Sequence, residues 1–265
     1  MSENIMEPVP CRIDRIIRET EAEFTFRILY NGETKNGQFF QLSIPKIGEA
    51  PISISGKGDG FVEFTIRKVG SLTEGVFNLR EGSQIYMRGP YGSSWPVELF
   101  ENKDLIVVTS GTGMAPVRTT LRHFADHPEI RKEVYLIGGF KDRHSTLFDE
   151  DRAYFDTCFH TVYPLSREKE KLDGYECGRV TLFLDQIPVE SMTEYNIVIT
   201  GAPAVIDSAA EHFIGRGVDP ARIWVSLERK MSCAVGKCGH CKMNGTYVCL
   251  EGPVFNYTRA CELFD

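Results

Sequence analysis

Nothing in this sequence is long, basic or repetitive. Its longest apolar runs, such as Leu105 to Val108 and Ile197 to Ile199, fall far short of the roughly 20 residues needed to cross a bilayer. Positive charge is in the minority: Lys and Arg number 30 against 37 Asp and Glu, a net charge of −7 at neutral pH. That balance argues against nucleic acid and against an anionic membrane surface as partners. No internal repeat and no low-complexity segment interrupts the chain. No secretory signal is recognisable, so a soluble, cytoplasmic protein with reduced thiols is expected.

Cysteine is not scarce, and it is unevenly placed. Of 8 cysteines, four lie within one stretch: Cys233, Cys238, Cys241 and Cys249. The spacing is C-x4-C-x2-C-x7-C, which opens like a plant-type 2Fe–2S loop. Gly236, Gly239 and Gly245 fall between the thiols and would let the chain fold tightly around a cluster. Structural zinc is the alternative, since Cys238-x2-Cys241 suits either metal. Zinc ribbons, however, pair two x2 spacings, and an x4 gap precedes the x2 gap here. Cys238-Gly239-His240 imitates half of a Rieske motif, but the matching C-x2-H is absent. The remaining cysteines, at 11, 158, 177 and 261, carry no motif.

The texture of the chain changes near residue 100. Before it, short alternating runs such as Phe24-Thr25-Phe26-Arg27-Ile28 and Phe61-Val62-Glu63-Phe64-Thr65-Ile66 are separated by Gly and Asn turns. This pattern predicts an antiparallel β-barrel or sandwich over 1–100, the barrel being the form that the family resemblance below implies. After it, buried-strand runs alternate with helical periodicity. Leu105 to Val108 leads into Gly111-Thr112-Gly113-Met114-Ala115-Pro116 and then an apolar helix face of Val117, Leu121, Phe124 and Ala125. Ile197 to Thr200 leads similarly through Gly201-Ala202-Pro203 into a second helix. A doubly wound α/β nucleotide domain over 101–225 is expected, followed by a small cysteine-rich 2Fe–2S module over 226–265.

Two loops stand out as cofactor candidates. Gly111-Thr112-Gly113 places N–H groups at a helix start, although the third glycine of the dinucleotide fingerprint is missing. A tight turn without a ligand is the bland alternative. In the barrel, Ala50-Pro51-Ile52-Ser53-Ile54-Ser55 is apolar with two hydroxyls, and Gly70-Ser71-Leu72-Thr73 follows a strand ending at Arg67-Lys68. Together they offer the flat apolar face, hydroxyl donor and cations that a flavin requires. Read alone, Ser53 and Ser55 could equally be the polar face of a strand.

Taken in order, these motifs resemble the ferredoxin–NADP reductase superfamily. Within it the chain resembles the branch with a C-terminal 2Fe–2S module: dihydroorotate dehydrogenase electron-transfer subunits, sulfhydrogenase gamma subunits and anaerobic sulfite reductase B subunits. The most specific stretch runs from Leu227-Glu228-Arg229-Lys230-Met231-x-Cys233 to Cys249-Leu250-Glu251-Gly252-Pro253-Val254-Phe255. The short loop between Cys241 and Cys249 and the Glu49-to-Ser53 segment look like the sulfite reductase and sulfhydrogenase members, and of these the sulfite reductase B subunits are favoured.

The resemblance implies FAD at Pro51, Ile52 and Ser53, with Ser53 as the catalytic hydroxyl. It implies NADH, or alternatively NADPH, at Gly111, Thr112, Gly113, Ala115, Pro116 and Gly201, and a cluster on Cys233, Cys238, Cys241 and Cys249. Electrons would pass to a partner, expected to be a sirohaem-type sulfite reductase catalytic subunit, with a ferredoxin-like subunit as a further candidate. A different class, an iron–sulfur redox sensor, explains the cysteines but leaves both cofactor loops without purpose.

Two details depart from the family pattern or stay open. Ala50 and Ile52 replace the family's flavin-gripping Arg and stacking aromatic. Arg67 or Lys68, helped by Gly70, Ser71, Leu72 and Thr73, is expected to supply the missing phosphate contact. Ser166-Arg167 is the expected clamp for a 2′-phosphate, weakened by Glu168 and Glu170 nearby.

Overall fold

The computed structural model describes residues 4–263. The N-terminal third forms a seven-stranded antiparallel sheet. Its strands are β1 (Val9–Arg18), β2 (Glu23–Leu29), β3 (Phe39–Ile44), β4 (Gly48–Ser53), β5 (Gly56–Gly58), β6 (Phe61–Arg67) and β7 (Gln84–Tyr91), in the order β4-β3-β7-β1-β2-β6-β5. The alternating runs of the sequence are its strands, and their apolar faces meet in one core of Ile13, Phe26, Ile28, Phe40, Leu42, Phe64 and Met87. The end strands β4 and β5 are joined through only Ile54 and Ser55. Ile54 N–H donates to Gln38 O at 3.0 Å and Ser55 N–H to Glu63 O at 2.8 Å. The sheet therefore wraps on itself through a bend in the chain, where a barrel was expected. Helix α1 (Ser71–Phe77) packs across it by Leu72 and Val76.

A short helix, α2 (Val97–Phe100), leads into the second sheet. Strands β8 (Asp104–Ser110), β9 (Val134–Gly139) and β10 (His160–Val162) run parallel, with α3 (Ala115–Asp126) and α4 (Asp149–Asp156) between them. Residues Val117, Leu121 and Phe124 of α3 are buried, as the 3.6 periodicity predicts. A minor parallel pair, β11 (Pro164–Leu165) and β12 (Glu176–Cys177), follows. Strand β13 (Tyr195–Thr200) then returns to the other side of β8, followed by α5 (Pro203–Gly215) and β14 (Ile223–Ser226). The sheet order reverses between β8 and β13, and a crevice at the carboxyl ends of such strands is the usual ligand position.

The C-terminal segment contains a hairpin, β15 (Lys242–Met243) and β16 (Thr246–Tyr247), then α6 (Val248–Glu251), β17 (Val254–Asn256) and α7 (Tyr257–Ala260). Strand β17 pairs antiparallel with β14, Val225 opposite Phe255, and so completes the nucleotide sheet as its edge. The cysteine-rich segment is thus tied into the nucleotide domain. Its Met231, Ala234, Cys241, Val248 and Cys249 share one core with Ile199 and Phe213. Among the described residues, no helix is long and apolar enough to cross a membrane.

A buried charge chain fastens the barrel to the nucleotide domain. Arg118 of α3 reaches Glu63 at 2.8 Å and Asp151 at 2.5 Å, Arg27 binds the other oxygen of Glu63 at 2.8 Å, and Arg122 pairs with the remaining oxygen of Asp151. Each carboxylate is held between two arginines, the arrangement that burial of charge demands.

Candidate functional site

The turn after β8 is a 3₁₀ turn over Gly111–Met114. Gly111 has φ +53, a left-handed value that suits glycine. A Cβ on Gly113 would stand 2.5 Å from Gly201 Cα, and Thr200 Oγ1 donates to Gly113 O at 2.6 Å. Ala202 N–H donates to Ser110 Oγ at 3.3 Å. The β8 and β13 turns therefore lock together at the switch point of the sheet. They form one wall of a cavity of about 970 Å³.

That cavity brings together all three regions of the chain. Arg67 lines it from the barrel; Gly111, Thr112, Gly113 and Gly201 from the nucleotide turns; Glu228, Met243 and Tyr257 from the C-terminal segment. Several expected residues are placed differently. Ala115 and Pro116 are buried in the domain core, with Pro116 O accepting from Trp95 Nε1 at 2.8 Å. They hold the turn in shape and do not line the cavity. Ser166 lines it, but the exposed Arg167 does not; Lys141 and Arg179 are the cations on that wall. The strand-end position of Lys141, directly after β9 and Phe140, was a usable signal, because ligands sit beyond the carboxyl ends of parallel strands. Arg179 lies in a connection with no motif around it. Glu228 stands inside the family-like stretch Leu227–Met231 but carried no assigned role. It is solvent-accessible at the cavity edge, yet the surrounding walls desolvate its carboxyl enough to push it upward, with Arg67 pulling the other way.

On the barrel, Pro51, Ile52 and Ser53 are half-buried on β4, with Ser53 opposite Phe39 and Ile52 opposite Phe40. Arg67 pairs with Glu23 at 2.5 Å and hovers over the nucleotide turn, its Nη2 lying 3.6 Å from where a Gly111 Cβ would be. Lys68 is exposed, and its N–H donates to Ala22 O at 2.9 Å. In the following turn, Leu72 is part of the barrel core. Thr73 Oγ1 is occupied by the N–H groups of Val69 and Gly70, each at 2.9 Å. Gly70 and the exposed Ser71 are the parts of that turn open to a ligand.

The cysteine loop is built as a cradle. Ala234, Gly236 and Gly239 all take positive φ, at +60, +70 and +81. That curl points the N–H groups of Val235, Lys237 and Cys238 at Cys233 Sγ, at 3.4, 3.3 and 3.4 Å, and that of Gly236 at Cys249 Sγ, at 3.3 Å. Such donors stabilise thiolates and the sulfurs of a cluster. Cys233 interacts with Cys238, and Cys249 interacts with both Cys241 and Cys233. The Cys238 thiol is lowered to about 7, first by the backbone of His240 and then by Cys233. Cys249 is pushed up to about 12 by burial and by Cys241 beside it. Among the described residues no three His, Cys, Asp or Glu side chains gather around a point that could hold one metal ion. Cys241 and Cys249 are buried, whereas Cys238, Lys237, His240 and Lys242 are exposed.

Known proteins share these features. A family model for the iron–sulfur cluster binding domain of dihydroorotate dehydrogenase B matches residues 228–260, and one for the oxidoreductase NAD-binding domain matches 107–211. The sulfhydrogenase 1 gamma subunit of Pyrococcus furiosus is 34% identical over 260 residues, covering 91% of this chain and 87% of that protein. The chain belongs to the family of sulfhydrogenase gamma and dihydroorotate dehydrogenase B electron-transfer subunits. A probable dihydroorotate dehydrogenase B electron transfer subunit of Methanocaldococcus jannaschii is 30% identical over 251 residues, covering 94% and 90% of the two chains. In fold, the chain is similar to an NADH-dependent reduced ferredoxin–NADP oxidoreductase, with a TM-score of 0.77 at 20% identity over 100% of this chain and 91% of that one. As a member of this family it is an NAD(P)H-dependent oxidoreductase of the electron-transfer kind, with an iron–sulfur domain at its C-terminal end.

Proposed function

We propose that this chain is the NAD(P)H-oxidising subunit of a multi-subunit redox enzyme. It would draw electrons from NADH or NADPH, hold FAD against β4, and deliver electrons through a 2Fe–2S cluster to a catalytic partner. The observation that carries this reading is the shared cavity, where Arg67, the Gly111–Gly113 turn and Glu228 converge. A bound flavin would supply the exchange between two-electron hydride chemistry and one-electron transfer, and the cluster a one-electron relay.

The chain's own residues have separable tasks in this reading. The N–H groups of the 3₁₀ turn receive nucleotide phosphate, and the Gly113–Gly201 contact keeps that turn flat against the sheet. Lys141 and Arg179 face the part of the cavity beside Ser166, where they can pair with an anionic ribose substituent. Ser53 offers a hydroxyl hydrogen bond on the face of β4, and Arg67 brings positive charge to the junction of barrel and nucleotide domain. The N–H groups of 235–238 orient the thiolates. The exposed edge at Cys238 and His240 is where a partner can approach.

For that partner we infer a catalytic subunit of the hydrogenase or dihydroorotate dehydrogenase kind. The similarity to sulfhydrogenase gamma subunits over most of the chain supports it. The sulfite reductase partner expected from the short Cys241–Cys249 loop finds no such support, and a hydrogenase-type partner replaces it here.

The test is anaerobic purification followed by turnover assays. The isolated chain is expected to show flavin and 2Fe–2S absorption, to bleach with NADH or NADPH, and to reduce artificial dyes. By itself it should not evolve or consume hydrogen, oxidise dihydroorotate or reduce sulfite. Substituting Lys242 or His240 with Glu should slow transfer to the partner and leave dye reduction unchanged. A chain that binds iron but no flavin, and does not react with nicotinamide nucleotides, would return the redox-sensor reading.

A further inference from the structure

One guanidinium bridges the strand proposed to carry the flavin and the backbone at the first cysteine of the loop. Arg88 lies on β7, its side chain 4% exposed. Its Nε donates to Glu49 Oε2 at 2.8 Å, and its Nη2 donates to the other oxygen of Glu49. On the opposite side, Nη1 donates to Cys233 O at 2.6 Å and Nη2 to Ser232 O at 2.7 Å. Nη1 also reaches Tyr91 Oη at 3.3 Å and Met6 Sδ at 3.7 Å. Glu49 immediately precedes Ala50–Ser53. Residues 49, 88 and 233, far apart in sequence, thus form one hydrogen-bonded line.

The line has a polarity. The carboxylate end lies on the barrel side and the cationic end touches the backbone of the cluster loop. Reducing a 2Fe–2S cluster adds one negative charge beside Cys233. A cation held out of water near that charge favours the reduced form, and a carboxylate disfavours it. Lys237 and Lys242 stand closer in sequence to the thiols, but both are exposed and water screens them.

We propose that the Arg88–Glu49 pair sets the reduction potential of the cluster, with Arg88 acting as a positioning and field-tuning residue and not as a ligand. This rests on the reading that Cys233, Cys238, Cys241 and Cys249 hold a 2Fe–2S cluster. A mere fastener and a potential-setting pair make opposite predictions. Loss of either partner weakens a fastener in the same direction. A field responds with opposite signs, because one variant strands a carboxylate and the other strands a cation.

The experiment is an anaerobic redox titration of the full-length holoprotein, following the cluster by electron paramagnetic resonance and the flavin by absorbance as an internal reference. Iron and sulfide are quantified for every variant. Arg88→Gln is expected to lower the cluster potential, changing the reduced-to-oxidised ratio at fixed potential by about tenfold, which for one electron is about 59 mV. Glu49→Gln is expected to raise it. Arg88→Lys should lie between wild type and Arg88→Gln, and the double variant between the two singles.

Shifts of the same sign in Arg88→Gln and Glu49→Gln, or unmoved potentials with full cluster content, overturn the proposal. Should Arg88→Gln fail to hold the cluster, Glu49→Gln decides alone, and a potential that falls or stays fixed overturns the proposal. Wild-type protein without sulfide overturns the cluster reading itself, an outcome distinct from a loaded cluster whose potential ignores the pair.

Discussion

Gly113 and Gly201 meet backbone to backbone: a Cβ on Gly113 would fall 2.5 Å from Gly201 Cα and 2.6 Å from its nitrogen. The glycine of the β8 turn is therefore required first by its neighbour across the sheet, and only then by any ligand. Even Gly113→Ala is expected to destabilise the domain by about 1–3 kcal/mol, the usual cost of overpacking. It should also weaken nucleotide binding. Thermal unfolding and nucleotide titration together check this; an unchanged melting temperature with lost nucleotide binding would restore the simpler role of ligand access.

The cavity wall proposed to select between NADH and NADPH is lined by Lys141, Ser166 and Arg179, with Arg167 outside it. If the chain accepts NADPH, Arg179→Ala should cost it about 1.5–3 kcal/mol of NADPH binding, the range for hydrogen bonds to charged groups. NADH binding should be spared. Arg167→Ala should leave both nucleotides unaffected. Affinities measured for both nucleotides against both variants decide the matter.

The cluster cradle yields a metal prediction. Cys238→Ser should remove iron and sulfide while leaving reduction of the flavin by nicotinamide nucleotides in place, since the nucleotide turns lie on separate elements. Metal and acid-labile sulfide analysis of protein made anaerobically with ample iron is the check. About one zinc per chain and no sulfide would contradict the cluster assignment.

Asp151 is 2% exposed and accepts from Arg118 and Arg122, which fastens α4 to α3 and, through Glu63, to the barrel. Asp151→Asn would leave Arg122 without its carboxylate and Arg118 with Glu63 alone. Removing one partner of a buried ion pair costs about 3–5 kcal/mol, and Arg122, being partly exposed, places this case near the low end. A denaturant titration that shows less than about 1 kcal/mol of loss would mean that the chain of charges is dispensable.

Glu228 carries a pH dependence. The cavity walls crowd its carboxyl and raise its folded-state pKa, but the side chain is still open to solvent, so the effect is small. Such a group supports the fold fully below the unfolded carboxylate pKa, and that support is lost as pH rises through the raised value. Glu228→Gln should remove this slope and hold the melting temperature more level from mildly acidic to neutral pH. Parallel melting curves for wild type and variant across that range would show that Glu228 ionises as an ordinary surface acid.

Some of this protein was legible from local pattern alone. The change from period-two alternation to buried strands and 3.6-residue helices near residue 100 marks the passage from the antiparallel to the parallel sheet, because each pattern reflects which faces are buried. The C-x4-C-x2-C-x7-C spacing marks the cradle, because glycines between closely spaced cysteines let the backbone curl its N–H groups toward the sulfurs. The glycine turn after β8 was likewise visible. Tertiary structure decided the rest. It buried Ala115 and Pro116 under Trp95, turned Arg179 and not Arg167 toward the cavity, and inserted β17 as the sheet edge beside β14. It also joined Glu49, Arg88 and Cys233, three residues on separate strands and loops with no shared motif. A periodicity records what a residue does with its near neighbours along the chain. Partners brought together by the packing of two sheets leave no such record, so the electrostatic surroundings of the cysteines exist only in the folded molecule.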